Sequence, residues 1–148
     1  MHTYYDTGAL VPLYVEEVFS EAVTAHVESR KTAVQINQFQ QLEMENALHL
    51  KVFRGELKTD MCRAVLARIK SDLRAGRLVL RPANWVGALE DSRRICARAT
   101  ETAGCSTLDI IHVAIAVQWG CVEFVSADDR QIKAARAVDL AALDLRCL

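Results

Sequence analysis

The chain has few of the residues that interrupt structure and no run long enough to cross a membrane. Two prolines and six glycines among 148 residues, with no segment of low complexity, argue against fibrous and disordered classes. The longest apolar stretches, such as Val113-Ala114-Ile115-Ala116-Val117, fall far short of the roughly 20 residues that a bilayer requires. The first 20 residues carry Asp6, Glu16 and Glu17 and no basic leader, so a cytoplasmic protein is expected. The five cysteines, at 62, 96, 105, 121 and 147, are odd in number, widely spaced and free of any C-x-x-C pair. Neither a disulfide framework nor a zinc site is suggested, and reduced, mostly buried thiols are expected. Also lacking are G-x-x-x-x-G-K-[ST], G-x-G-x-x-G, H-E-x-x-H and G-x-S-x-G, which removes the usual nucleotide-binding, zinc-protease and serine-hydrolase readings.

What is present is a chain with 51% hydrophobic residues, the size of one compact domain spanning 1–148. A domain of this length buries roughly two thirds of the surface its unfolded chain exposes. Its net charge of -1 hides an uneven division. Residues 51–98 hold twelve basic and five acidic side chains, a balance of +7, against -5 before and -3 after them. Such a split suits a cationic surface beside an anionic pocket, as holding a phosphate backbone requires, and it equally suits a solvated helix face.

Hydrophobic periodicity and turn residues predict strands alternating with helices. Thr3-Tyr4-Tyr5 reads as a strand ending at Asp6-Thr7-Gly8, followed by a helix over Ala9–Val15 with Pro12 tolerated near its first turn. A helix over Glu17–Glu28, a strand over Thr32–Ile36 and a helix from a capping Asn37 to about Arg54 follow, with Phe39, Leu42, Leu50 and Phe53 among its apolar positions and Gly55 ending it. From Lys58 to Ala75, apolar residues recur at three and four opposite Arg63, Lys70 and Arg74, giving an amphipathic helix stopped at Gly76. Leu78–Leu80 is a strand, Trp85–Ala103 and Ser106–Trp119 are helices, Glu123–Ser126 is a strand, Asp128–Ala137 is a helix and Leu143–Leu145 an edge strand. This alternation implies an α/β fold with a parallel sheet, whose ligands bind beyond the carboxyl ends of the strands.

That rule draws attention to acids. Asp6 and Asp128 each follow a strand, although an aspartate before Thr-Gly is also a common turn or cap. Glu43 shares a helical strip with Phe39, Asn46 and Leu50, where it either meets a partner or is merely solvated at the strip's edge. Asp109 sits in Ser106-Thr107-Leu108-Asp109, which fits a capping box at a helix start and also places a carboxylate at the top edge of the sheet. His112, one turn on, reads as a packed histidine rather than a ligand.

Four segments in order resemble the PIN domain of VapC-type toxins. Tyr5-Asp6-Thr7-Gly8-Ala9-Leu10 looks like the family's D-[TS]-[SG]-A-L opening, and Leu42 to Leu48 resembles the helix bearing its second acid. Leu108-Asp109-Ile110-Ile111-His112-Val113-Ala114-Ile115-Ala116 resembles D-x-x-H-x-A-x-A. Phe124-Val125-Ser126-Ala127-Asp128-Asp129-Arg130-Gln131 resembles F-[VL]-[TS]-x-D-x-R-Q. The resemblance covers essentially the whole chain and implies a PIN-like three-layer α/β/α sandwich with a central parallel sheet of about five strands. It also implies a catalytic set of Asp6, Glu43, Asp109 and Asp128, with Asp128 preferred over Asp129 and with Thr7 and Ser126 in support. Mg²⁺ or Mn²⁺ would then be held by Asp6 and Asp109, with Glu43 and Asp128 joining directly or through water. The expected activity is metal-dependent endoribonuclease, as the toxin of a VapBC-type toxin–antitoxin pair. The expected partners are RNA, contacted by Arg130 and basic residues between 51 and 98, a small antitoxin, and a second copy in a homodimer. A PIN nuclease of RNA processing and a catalytically degenerate PIN binding module are the alternatives.

Overall fold

The computed structural model describes residues 2–148. In chain order the elements are β1 (Thr3–Tyr5), α1 (Thr7–Leu10), a 3₁₀ turn (Val11–Leu13), α2 (Ser20–Arg30), β2 (Val34–Ile36), α3 (Gln38–Phe53), α4 (Thr59–Arg74) and β3 (Leu78–Leu80). They continue with α5 (Trp85–Ala103), α6 (Thr107–Gln118), β4 (Glu123–Ser126), α7 (Asp129–Ala137), β5 (Ala141–Asp144) and a closing 3₁₀ turn (Leu145–Cys147). The fold is α/β, and each strand pairing among the described residues is parallel. The chain divides into two compact units: one comprises the residues through Ala9 together with Ala83–Leu148, and the other Leu10–Pro82.

The first unit is built on a three-stranded sheet in the order β1-β4-β5. Tyr4 is in register with Phe124, and their rings stack at 5.4 Å with 7° between planes. Both are fully buried, and burial of a side chain of that size stabilises by roughly 1.5–3 kcal/mol. Helix α6 is buried without interruption from Asp109 to Ala116, as a helix that is apolar all round must be. It packs against α5 and α7, and α7 also covers β4 and β5. Gly104 ends α5 with φ 67°, a left-handed conformation that costs an L side chain energy and glycine none.

The second unit carries β2 and β3 as a separate two-stranded sheet, with Val34 to Ile36 in register with Leu78 to Leu80. The five strands therefore do not form one sheet of five. The β2–β3 ladder is three residues long and closes with Arg81 N–H donating to Ile36 O at 2.8 Å. Asn37 caps α3 as expected, and Gln40 completes a reciprocal capping box, with Gln40 N–H on Asn37 Oδ1 and Asn37 N–H on Gln40 Oε1. Helix α4 buries Cys62, Val65 and Ile69 and leaves Arg63, Lys70 and Arg74 exposed.

Two boundaries move for identifiable reasons. The helix expected over Ala9–Val15 starts at Thr7 and tightens into the Val11–Leu13 turn. Pro12 has no N–H for an i−4 bond and its ring crowds the preceding turn. The helix expected from Glu17 starts at Ser20, whose hydroxyl accepts from Glu17 N–H and donates to Pro12 O, holding the intervening residues as loop. Among the described residues no helix is long and apolar enough to cross a membrane. All five thiols are free, with Cys62, Cys105 and Cys121 buried.

Candidate functional site

Because β1 and β4 are parallel neighbours, their carboxyl ends share one edge of the first unit's sheet. Asp6 follows β1 directly, and its N–H donates to Val125 O at 3.1 Å, carrying the ladder one residue further. That bond fixes where its carboxylate can lie. Ser126, the last residue of β4, donates its hydroxyl to Asp6 Oδ2 at 2.6 Å, and Ser126 Oγ in turn accepts from Asp128 N–H at 2.9 Å. One buried hydroxyl thus joins the first acid to the backbone of the last. Ala9 N–H, in the first turn of α1, donates to Asp6 Oδ1 at 2.7 Å. A Cβ at Gly8 would stand 3.5 Å from both carboxylate oxygens, an ordinary van der Waals contact. Each oxygen has one protein donor in these bonds, where a carboxylate oxygen can accept two.

Burial dominates the electrostatics of Asp6, which is 3% exposed. Its carboxyl is pushed up to about 6, chiefly by desolvation; the Ser126 hydrogen bond, the charge of His112 and the Ala9 N–H oppose this, and the charge of Asp128 adds to it. His112 is packed as expected, with Nδ1 2.9 Å from the Tyr4 hydroxyl.

Asp109 and Asp128 are oriented by helix starts. Asp109 closes the capping box anticipated from the sequence: Ser106 N–H donates to its Oδ2 at 2.7 Å, and its own N–H donates to Ser106 Oγ at 3.2 Å. Gln131 Nε2 donates to Asp109 Oδ1 at 3.2 Å from the first turn of α7. Asp128 is the N-cap of α7, its Oδ1 accepting Arg130 N–H at 2.8 Å. The Arg130 guanidinium then grips Asp128 with Nε at 3.1 Å and Nη2 at 2.7 Å, and its Nε stands 3.7 Å from Asp109 Oδ2. That hydrogen-bonded cation holds the Asp128 carboxyl below its ordinary value. Arg130, expected to contact RNA, reaches two of the candidate acids.

The structure thus links Asp6 to Asp128 through Ser126, and Asp128 to Asp109 through Arg130. Asp129 points elsewhere, to Lys133 and Arg146. Thr7 opens α1, half-buried. Glu43 belongs to the second unit and is half-buried on α3. The strip of α3 that faces the core is Gln40, Met44 and Leu48; of the apolar positions named from the sequence, Leu42, Leu50 and Phe53 are exposed. Gln40 is buried despite its polar amide because its capping bonds satisfy it there. Gln131 was missed as a site residue, although it closes the Arg130-Gln131 pair of the last motif.

The residues present suit a hard divalent cation. Among the described residues no three His, Cys, Asp or Glu side chains group around one point, but Mg²⁺ commonly takes only one or two protein carboxylates. The donors are oxygens, and a cation already lies between Asp109 and Asp128, in the form of the guanidinium. Gln131 Oε1 adds a buried oxygen without a hydrogen-bond partner, on the amide that donates to Asp109. No protein-family model matches the chain, and no curated protein matches it.

Proposed function

We propose that the chain is a PIN-type, Mg²⁺- or Mn²⁺-dependent endoribonuclease acting as the toxin of a toxin–antitoxin pair. The observation that carries the reading is the chain of contacts that joins Asp6, at the carboxyl end of β1, to Asp128 through Ser126 and Asp128 to Asp109 through Arg130. The carboxyl ends of strands are where α/β folds place their ligands. The motif resemblance supports the nuclease class, and a PIN-like three-layer sandwich with Glu43 as the fourth acid belongs to the same proposal.

Within it, Asp6 and Asp109 would hold the cation, with Asp128 joining directly or through water. When bound, the ion supplies Lewis acidity and offsets charge at a scissile phosphate. Ser126 and Ala9 orient Asp6, while Ser106 and Gln131 orient Asp109, so the acids are aimed before substrate arrives. The exposed basic face of α4, with Arg63, Lys70 and Arg74, suits a phosphate backbone. A small antitoxin would bind at or near the acidic edge, and a homodimer is the proposed assembly. Purified protein freed of any co-purifying antitoxin should cut RNA when Mg²⁺ or Mn²⁺ is supplied, and Asp6→Asn should abolish cutting. Intact RNA with wild-type protein, or full activity in the variant, would overturn the proposal.

A further inference from the structure

Arg130 occupies an unusual place for a cation. It lies in the first turn of α7, where the helix dipole is positive and a basic side chain is disfavoured. Two carboxylates hold it there: Asp128 by a bidentate grip, and Asp109 with an oxygen 3.7 Å from its Nε. Its backbone is tethered independently, since Arg130 O accepts from Cys105 Sγ at 3.3 Å. The side chain is half exposed, whereas that of Asp109 is 7% exposed. The guanidinium therefore has a route into solvent, whereas Asp109 stays almost covered.

We infer that Arg130 is an intrinsic cation of the acidic site: it offsets part of the charge of Asp109 and Asp128 in the metal-free protein and must swing out when a divalent ion binds. The inference rests on the metal-site reading above and names a regulation of that site. Ion pairs with an exposed partner are weak and easily displaced. A divalent ion carries twice the charge and prefers oxygen ligands, so it wins the exchange once its concentration is sufficient. The arginine thereby sets the threshold at which the site loads.

The same chain supplies a control. Asp144-Leu145-Arg146 repeats the local turn, with Arg146 N–H and Nε on Asp144 Oδ1 and Nη2 on Asp144 Oδ2. Its second acid is Asp129, a half-exposed residue outside the proposed site. Isothermal titration of the full chain with Mn²⁺ is the test, comparing wild type, Arg130→Gln, Arg130→Lys and Arg146→Gln. Arg130→Gln should bind roughly tenfold tighter, through loss of the competing pair and of one repelling charge. Arg130→Lys, which keeps the charge and loses the fork, should fall between, and Arg146→Gln should match wild type. In the absence of metal, Arg130→Gln should melt lower than wild type, and Mn²⁺ should raise its melting temperature by more. Equal or weaker Mn²⁺ binding by Arg130→Gln, with wild type still binding, overturns the inference and leaves the metal site standing. Mn²⁺ binding by none of the four proteins overturns the metal-site reading itself.

Discussion

Two Asp-x-Arg turns end neighbouring strands of the same sheet, and they differ in what the arginine reaches next. After β4, Arg130 connects Asp128 to Asp109, whose side chain is 7% exposed; after β5, Arg146 connects Asp144 to Asp129, whose side chain is 47% exposed. The local chemistry is the same, an N-cap carboxylate gripped by the guanidinium two residues on. What separates them is the neighbouring strand. β4 lies between β1 and β5, so its end faces Asp6, whereas β5 is the edge of the sheet. The edge pair leads on to Asp129, whose side chain stands half exposed. The central ion pair reaches the covered side chain of Asp109 and is joined through Ser126 to Asp6, the acid that burial makes costly to charge.

The largest expected difference between the turns is in activity. Asp109→Asn should lower RNA cleavage by roughly a hundredfold or more, the scale of removing one electrostatic contact at a reacting centre, while Asp144→Asn should stay within a few-fold of wild type. Initial rates at a temperature where both variants are folded would decide it, and equal losses would erase the distinction.

The two turns should also differ in the sign of their pH dependence. Asp6, beside the central turn, has its carboxyl raised from 3.8 to about 6 in the folded protein. Its folded value lies above its unfolded value, so its contribution is full below about pH 4 and is lost as pH rises through 6. In metal-free protein that loss amounts to ~3 kcal/mol, at about 1.4 kcal/mol for each tenfold change in proton affinity. Asp144 is lowered to about 2, chiefly by its hydrogen bond from Arg146. Its contribution is present above about pH 4 and lost as pH falls through 2. Denaturant unfolding from pH 2 to pH 8 should show both slopes, and Asp6→Asn should remove the decline between pH 4 and 6.5. A decline that persists in the variant would assign it to another group. Excess Mg²⁺ should shrink the same decline, because the cation compensates the charge that burial penalises.

The smallest effect belongs to the edge clamp alone. Arg146→Gln should change unfolding free energy by ~1 kcal/mol or less, as exposed ion pairs do, and leave cleavage unchanged. A larger loss in the melting curve would show that the covered Asp144 carboxylate depends on its arginine for stability.

The contrast also explains what the sequence made legible. Strands and helices were readable because strand runs such as Glu123–Ser126 are bounded by turn residues and helices such as α4 repeat at three and four. The Asn37 cap and the Ser106–Asp109 box were readable because capping is local chemistry. The division of five strands into two sheets was not, since pairing depends on contacts distant in sequence. Asp6, Asp109 and Asp128 were marked by their places after strands or at a helix start, but the Ser126 hydroxyl bond to Asp6 spans 120 residues and leaves no local trace. Arg130 stood out in the sequence for its charge, which suggested phosphate; its contacts with Asp128 and Asp109 exist only in the folded turn.

If the acids on this edge hold a divalent ion that cuts RNA, cleavage of a labelled single-stranded RNA must follow the ion before and after chelation. No cleavage is expected with EDTA, recovery is expected on adding excess Mg²⁺ or Mn²⁺, and Asp109→Asn should not recover. Cleavage that survives chelation, or that Asp109→Asn recovers in full, would contradict the claim.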